Sequence, residues 1–289
     1  MNHIDETELI LSQKKKIYHL NLSKHELADD ILLVGDPERV KLISNKFDEI
    51  ECKIQHREFV THTGILNKKR ISAISTGIGT DNIDIVINEL DALVNINFDN
   101  RLENNQKKSL NIIRLGTSGS IQKHIDIDTF ITSSFGLGFD NLAHFYFNKK
   151  KINQEMNQAF LKHANWPKEL SIPYFVKASE NLFSLFSDLP YGITATAPGF
   201  YAPQGRTLRL KPAIKDLHEK MKSFTFNNNQ ITNFEMETSA LYFLGRSLGH
   251  KTLTICAIIG NRLNKKYSKD YKITVEKMID FVLNRICPK

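Results

Sequence analysis

The stretch Ile112-Ile113-Arg114-Leu115-Gly116-Thr117-Ser118-Gly119-Ser120 predicts the class of fold. Its first four residues form a short apolar run, which is typical of a buried strand. The glycines and small hydroxyl residues that follow predict a loop at the carboxyl end of that strand. A charge such as that of Arg114 is costly in an apolar strand unless it is paired or bound to an anion. The strand alone leaves a buried salt bridge and an anion site equally favoured for Arg114.

Two similar units lie upstream. Ile31–Val34 predicts a buried strand that stops at Gly35-Asp36-Pro37-Glu38-Arg39. Arg70–Ser75 predicts another strand, which ends at Thr76-Gly77-Ile78-Gly79. A helix with one apolar face is expected after each turn, and Asp81 or Asn82 is expected to cap the second helix. Strand, glycine turn and helix therefore recur, which predicts an α/β fold with ligands at the carboxyl ends of the strands.

The rest of the chain adds no convincing domain boundary. The polar segment 95–111 is predicted to be an exposed excursion. Residues 236–248 predict a helix closed by Gly249, and the strand 252–259 follows. The first sixteen residues are polar and are predicted to be a flexible N-terminal arm, so the single domain is placed at residues 17–289.

Composition excludes several classes of protein. Hydrophobic residues make up 41% of the 289, which is enough for a substantial core, but no apolar run approaches the roughly 18 residues of a membrane span. No signal peptide is visible, and the three cysteines are too scattered for a disulfide framework or zinc site, so a cytoplasmic location is expected. The net charge of +7 comes from dispersed lysines without interleaved aromatics, which favours solvated faces over a nucleic-acid groove.

Glycine beside arginine and hydroxyl groups is suited to holding an oxyanion. Glycine lets backbone N–H groups approach an anion closely, and arginine adds a permanent charge with a bidentate fork. Thr117 can donate a hydroxyl hydrogen bond. The segments form neither a Walker loop nor a GxGxxG fingerprint, so binding of nucleoside triphosphates or dinucleotides is not supported.

Taken in order, these segments resemble the nucleoside phosphorylase-I family, and within it the branch that cleaves uridine. The resemblance runs from about residue 17 to about residue 262 and implies a three-layer α/β/α fold with a central mixed β-sheet. The matching segments are Tyr18-His19-Leu20, Gly35-Asp36-Pro37-Glu38-Arg39, His56-Arg57-Glu58-Phe59, Ser75-Thr76-Gly77-Ile78-Gly79, Arg114 to Gln122, Phe200-Tyr201-Ala202-Pro203-Gln204-Gly205-Arg206 and Phe234-Glu235-Met236-Glu237.

The resemblance implies a phosphate site made of Gly35, Arg39, Arg114 and Thr117. It also implies that a neighbouring subunit donates Arg57 to the same phosphate. Relatives form dimers that assemble into hexamers, but the sequence does not fix that number.

The ribose is expected to contact Met236 and Glu237, with Glu235 supporting that wall and His19 reaching the 5′-hydroxyl across the subunit interface. The separate residues leave other readings open. Met236 could be ordinary helix core, Glu237 a simple helix cap and His19 a surface histidine.

The base is expected to contact Phe200, Gln204 and Arg206, with Arg262 closing on the same site. Phe200 could also be core. Purine-cleaving members carry an aspartate near the last core strand that protonates the purine. That strand here ends Ile258-Ile259-Gly260-Asn261-Arg262 without an Asp, which favours a pyrimidine. Pro198, Gly199 and Gly260 depart from the expected pocket and leave thymidine or a modified pyrimidine open.

The implied reaction is phosphorolysis of a pyrimidine nucleoside, with uridine and phosphate giving uracil and ribose 1-phosphate. Arg39, Arg114, Glu237 and Arg206 are the expected catalytic residues, and phosphate is a co-substrate rather than a cofactor. Glu58 and Ser75 match a monovalent-cation (K⁺) site between subunits in some relatives. Glu58 could instead form an ion pair with a nearby Lys or Arg. A nucleosidase, a purine phosphorylase and a non-catalytic nucleoside-binding protein are the alternatives.

Overall fold

The computed structural model describes residues 3–289 as an α/β domain built on one twelve-stranded mixed sheet and a separate two-stranded hairpin. This confirms the predicted class of fold. The strands are β1 (Asp30–Val34), β2 (Glu49–His56), β3 (Phe59–Leu66), β4 (Lys69–Ser75), β5 (Ile96–Asn97), β6 (Leu102–Glu103), β7 (Asn111–Ser120), β8 (Phe130–Gly138), β9 (Tyr174–Lys177), β10 (Tyr191–Thr196), β11 (Thr225–Phe226), β12 (Asn229–Glu235), β13 (Lys251–Asn261) and β14 (Lys266–Tyr267). The helices are α1 (Pro37–Ser44), α2 (Thr80–Asn95), α3 (Gln154–Ala164), α4 (Glu180–Ser184), α5 (Leu217–Ser223), α6 (Thr238–Leu248) and α7 (Tyr271–Ile286).

The centre of the sheet is parallel. Strand β1 lies between β4 and β7, and Val34 is in register with both Ser75 and Leu115. Strand β13 continues the parallel pairing on the other side of β7. Because β12 also pairs with the end of β7, the path from β7 through β13, β8, β10 and β12 closes on itself. Several carboxyl-terminal strand ends are thereby brought to one place.

Helix α6 packs tightly on this closed part of the sheet. Its apolar residues from Ala240 to Leu244 are fully buried, and the helix contacts β8, β13 and α2. A Cβ atom at Gly136 in β8 would lie 2.9 Å from the Cα of Ser239, so only glycine permits this approach. Gly249 ends the helix with φ at 84°, as predicted from the sequence.

The glycine-rich segment after Leu115 is not a loop, which corrects the prediction for this segment. Strand β7 runs through Gly116–Ser120, because β13 and then β12 offer hydrogen-bonding partners along that length. The prediction for the N-cap of α2 is also wrong. The helix begins at Thr80, and Gly79 with φ at 103° takes the N-cap position in place of Asp81 or Asn82.

Residues 3–16, which belong to the predicted flexible arm, contact the segment 95–111. Arg101 Nη1 donates to the carbonyl of Leu9, whose side chain is buried, and Ile4 N donates to the carbonyl of Arg101. The segment 95–111 is itself held by the β5–β6 hairpin. The flexibility of the arm and the boundary at residue 17 stay predictions.

None of the helices within residues 3–289 combines the length and the apolar character that a membrane crossing requires.

Candidate active site

A cavity of about 900 Å³ opens where the central strands end. Of the residues predicted for the site, eleven line it: Gly35, Arg39, Arg114, Thr117, Phe200, Gln204, Arg206, Glu235, Met236, Glu237 and Arg262. Such a volume is within the range of small-molecule sites. Residues from five separate stretches of the sequence thus surround one space.

Arg114 forms the buried charge at one end of the cavity. Its Nη1 lies 3.3 Å from Glu235 Oε2, and its Nη2 donates to Glu237 Oε2. Burial lowers the pKa of Arg114, but the two carboxylates outweigh it and raise that pKa above its ordinary value. The salt bridge that was one of the two sequence alternatives therefore exists.

The pairing does not use all the donors of Arg114. Nε and Nη1 have no hydrogen-bond partner among the described residues, although the side chain is buried. Orphaned buried donors are uncommon and call for a partner. The salt bridge and an anion site are therefore compatible at Arg114. Gly116 makes room for this arrangement, because a Cβ there would lie 2.1 Å from Nη1.

Arg39 approaches the same end from α1. Asp36 accepts a hydrogen bond from Glu38 N and so fixes the start of the helix, and Arg39 Nη1 donates to the carbonyl of Leu115 at 3.2 Å. Burial lowers the pKa of Arg39, and the positive charge of Arg114 acts in the same direction. An anion bound between the two arginines would relieve their mutual repulsion.

Glu235 and Glu237 divide two tasks. Glu235 accepts hydrogen bonds from Glu237 N at 2.9 Å and from Thr238 N, and so caps α6. Glu237 does not cap the helix with its side chain, which answers the alternative raised from the sequence. Its Oε1 instead accepts from Gly79 N at 2.7 Å, and burial raises its pKa above the ordinary value despite Arg114.

Met236 and Phe200 are not core residues. Met236 is partly exposed and lines the cavity, and Phe200 is 50% exposed at its far end. Both were left open by the sequence.

The far end of the cavity is organised around the amide of Gln204. Its Oε1 accepts from Arg206 Nη1 at 2.6 Å and from Arg262 Nη2 at 3.0 Å. The Arg206 guanidinium lies 3.6 Å from the centroid of the Phe200 ring, which is a cation–π contact. Burial, together with the charge of Arg206, lowers the pKa of Arg262 to about 10. With Oε1 occupied, the Nε2 donor of Gln204 is left for a ligand.

Asn261 is committed to the protein. Its Nδ2 donates to the carbonyls of Gln122 and Ile125 at 2.8 and 2.7 Å, and its Oδ1 accepts from Asn264 N. It therefore has no proton to offer to a leaving group.

His19 and Arg57 do not line the cavity of their own chain. The Nδ1 atom of His19 lies 2.7 Å from Glu89 Oε1, and Arg57 Nη2 donates to the hydroxyl of Tyr18 at 3.3 Å. Tyr18 also contacts the ring of His19 edge-on. The two predicted cross-subunit residues thus share one partly exposed cluster.

Glu58 and Ser75 are neighbours away from the cavity lining. Ser75 Oγ donates to the carbonyl of Glu58 at 2.8 Å and accepts from Val60 N, while the Glu58 side chain is exposed. No cluster of three or more His, Cys, Asp or Glu side chains suited to a metal ion occurs in the part of the chain that the structure describes. A monovalent cation at Glu58 and Ser75 stays a prediction.

The sequence missed several residues that border the cavity, notably Lys265, Lys266 and Tyr267 on the β13–β14 hairpin. It also missed His218, whose Nε2 lies 2.6 Å from Arg262 Nη1. Neither group belongs to a recognisable motif. Only the pairing of Gly260 with Tyr267 and the packing of α5 bring them there.

Known proteins resemble this chain over most of its length. A curated uridine phosphorylase of Thermococcus kodakarensis is 30% identical over 261 residues, covering 87% of this chain and 80% of that protein. A purine nucleoside phosphorylase of Bacillus velezensis is 24% identical, covering 93% and 98%. The solved Trypanosoma brucei nucleoside phosphorylase, whose structure is described as showing uridine phosphorylase activity, has a TM-score of 0.87 at 27% identity and covers 97% and 100%.

The family model described as the phosphorylase superfamily matches residues 29–284. This range contains the central sheet and every residue that lines the cavity. The chain therefore belongs to the phosphorylase superfamily and is an enzyme of the pentosyltransferase class.

Proposed function

We propose that this enzyme catalyses the phosphorolysis of a pyrimidine nucleoside, with uridine and inorganic phosphate giving uracil and ribose 1-phosphate. The observation that carries the proposal is the division of one cavity into an arginine end, a carboxylate wall and an amide end. These match in order a phosphate, a ribose and a pyrimidine. The uridine phosphorylases among the relatives support the same reaction.

The phosphate would lie between Arg39 and Arg114, beside Gly35 and the hydroxyl of Thr117. Nε and Nη1 of Arg114 make no hydrogen bond to the described residues and would supply N–H donors for the phosphate oxygens. A phosphate oxygen attacks C1′ of the ribose while the bond from C1′ to N1 of the base breaks. Held in this position, the nucleophile loses little further entropy in reaching the transition state.

The ribose would lie against Met236, with its hydroxyls donating to Glu237. The pair of Glu237 with Arg114 links the sugar site to the phosphate site. As the bond to the base breaks, positive charge grows on the sugar, and both the carboxylate and the phosphate stabilise it.

The base would lie beside Phe200 with its polar edge towards Gln204 and Arg206. The bond electrons leave with N1, so negative charge spreads over the ring and its oxygens. The donors on Gln204 and Arg206 stabilise that charge. Asn261, fixed by three hydrogen bonds to the backbone, supports a pyrimidine over a purine because a purine leaving group would lack its acid.

We further infer a dimer in which His19 and Arg57 complete the site of the neighbouring subunit. Both residues lie in one cluster outside their own cavity. A cytoplasmic location and a hexamer stay predictions, as does the absence of a redox cofactor.

The test is a comparison of initial rates on uridine, thymidine and inosine, each with and without phosphate. We expect cleavage of uridine that requires phosphate, with inosine cleaved at least about 100-fold less efficiently, since a purine lacks its acid here. Equal rates with and without phosphate would show a nucleosidase. A preference for inosine would show a purine phosphorylase, and no cleavage of any nucleoside would show a binding protein.

A further inference from the structure

His218 lies on α5, directly behind the turn that carries Gln204 and Arg206. The turn bends at Gly205, whose φ is 68°, and a Cβ atom there would lie 2.6 Å from His218 Nε2. The imidazole also meets the ring of Phe234 edge-on, with 5.9 Å between centroids. The ring is thus wedged between the turn and the wall of the cavity.

The hydrogen bond between His218 and Arg262 fixes the tautomer. Arg262 Nη1 lies 2.6 Å from His218 Nε2, and a guanidinium can only donate. Nε2 must therefore accept, and Nδ1 must carry the proton. The same guanidinium donates through Nη2 to Gln204 Oε1, so His218 holds it from one side while Gln204 holds it from the other.

The surroundings of His218 disfavour the protonated imidazole. Burial lowers its pKa, and the positive charges of Arg262 and Arg206 lower it further. The backbone carbonyl of Gln204 and the carboxylate of Glu219 act in the opposite direction but do not outweigh them. Protonation would remove the acceptor and place a third positive charge beside the two arginines.

We propose that His218 is a positioning residue for base recognition, which as a neutral imidazole accepts a hydrogen bond from Arg262 and so aligns Arg262 and Gln204 for the pyrimidine. The inference rests on the proposed function of the Gln204 end of the cavity. His218 touches no substrate. By holding Nη1 of Arg262, His218 orients the guanidinium so that Nη2 donates to Gln204 Oε1. Loss of His218 should therefore weaken the binding of the nucleoside and leave the binding of phosphate unchanged.

Two variants separate the hydrogen bond from the volume of the ring. His218→Phe keeps a ring of similar size but accepts no hydrogen bond, while His218→Gln keeps an acceptor that does not titrate. A matched control is His163→Gln. His163 Nε2 contacts the last turn of the same helix, at the carbonyl of Lys220 and the hydroxyl of Ser223. It makes no hydrogen bond to Arg262.

The measurement is kcat and KM for uridine at pH 5.5 to 8.0 with saturating phosphate, and KM for phosphate at pH 7.5. For the unchanged protein we expect KM for uridine to rise as the pH falls and the imidazole gains a proton. His218→Phe should raise KM for uridine about tenfold at pH 7.5, the size expected for a lost hydrogen bond to a charged group. His218→Gln should keep a KM near that of the unchanged protein and lose most of the rise in acid.

KM for phosphate should not change in either variant, and His163→Gln should match the unchanged protein throughout. An unaltered KM for uridine in His218→Phe would overturn the inference, as would a full acid rise in His218→Gln. If His218→Phe does not fold, the pH profile of His218→Gln still decides. Failure of the proposed function would be visible separately, as absence of uridine cleavage by the unchanged protein.

Discussion

The two ends of the cavity are built differently. The end proposed for phosphate rests on the central strands, where Arg114 is 4% exposed and is held by two buried carboxylates. The end proposed for the base rests on the turn 200–206 and on Arg262, where Phe200 is 50% exposed. A charge fixed in the core of the sheet cannot change without harm to the fold, whereas a turn can be remodelled. Uridine and purine nucleoside phosphorylases are both among the relatives of this chain.

The largest effect is expected from Arg114→Ala. The change removes a proposed phosphate donor and leaves Glu235 and Glu237 as buried carboxylates without this counter-charge. We expect kcat/KM to fall by about 1,000-fold or more and the free energy of unfolding to fall by about 3–5 kcal/mol. Initial rates and urea unfolding measure the two effects.

Arg285→Ala is the control for Arg114→Ala, because Arg285 pairs with Asp188 at the surface. Its activity should be unchanged, and its loss of stability should be much smaller than that of Arg114→Ala, because solvent screens an exposed ion pair. An Arg114→Ala enzyme with normal activity would contradict the assignment of the phosphate end.

Gly116→Ala should displace the Arg114 side chain by steric overlap, without removing any charge. The new methyl group would lie 2.1 Å from the present position of Arg114 Nη1, so the guanidinium must move away from its carboxylates. We expect KM for phosphate to rise by about 10- to 100-fold, as for the loss of a charged hydrogen bond, with little change in the binding of uracil.

Gly249→Ala is the matched glycine control. Its φ of 84° is unfavourable for alanine, but no atom lies within 4 Å of the new methyl group. It should lose about 1 kcal/mol of stability and no activity. Equal effects of both glycine changes on phosphate binding would refute the steric argument.

Gln204→Ala tests the opposite end. It removes the acceptor shared by Arg206 and Arg262 and the Nε2 donor for the base. We expect kcat/KM for uridine to fall by about 10- to 100-fold while KM for phosphate stays within about twofold. A parallel rise in KM for phosphate would show that the two ends are not separable.

The smallest effect is expected from Phe200→Leu. The change removes the aromatic face that the Arg206 guanidinium covers at 3.6 Å but keeps an apolar side chain. An exposed cation–π contact contributes about 0.5–1 kcal/mol, so KM for uridine should rise by about two- to fivefold. The free energy of unfolding should change by less than about 0.5 kcal/mol, since the ring is half-exposed.

The sequence could predict that Gly35, Arg39, Arg114 and Thr117 lie together, because a strand followed by glycine and a charged or hydroxyl residue is a local pattern. The same pattern misled for Gly116–Ser120, where long-range pairing with β13 and β12 keeps the segment extended. The sequence also left the partner of Arg114 open. Only the fold brings Glu235 and Glu237 to it from more than 120 residues away.

The base end was less predictable because its contacts depend on packing between distant segments. His218 reaches Arg262 across 44 residues, and Lys266 and Tyr267 reach the cavity through the pairing of β14 with β13. The sequence shows that Asn261 stands where purine-cleaving members carry an acid. It does not show the three hydrogen bonds that Asn261 makes to backbone groups. None of these contacts leaves a periodic or motif signal in the sequence.

The most direct test of the central claim is to follow the oxygen atoms of phosphate. Uridine and ¹⁸O-labelled phosphate should give uracil and ribose 1-phosphate in which the oxygen bound to C1′ carries the label, as measured by mass spectrometry. Arg114→Ala should form this product at least about 1,000-fold more slowly. Release of free ribose at a rate independent of phosphate would contradict the account.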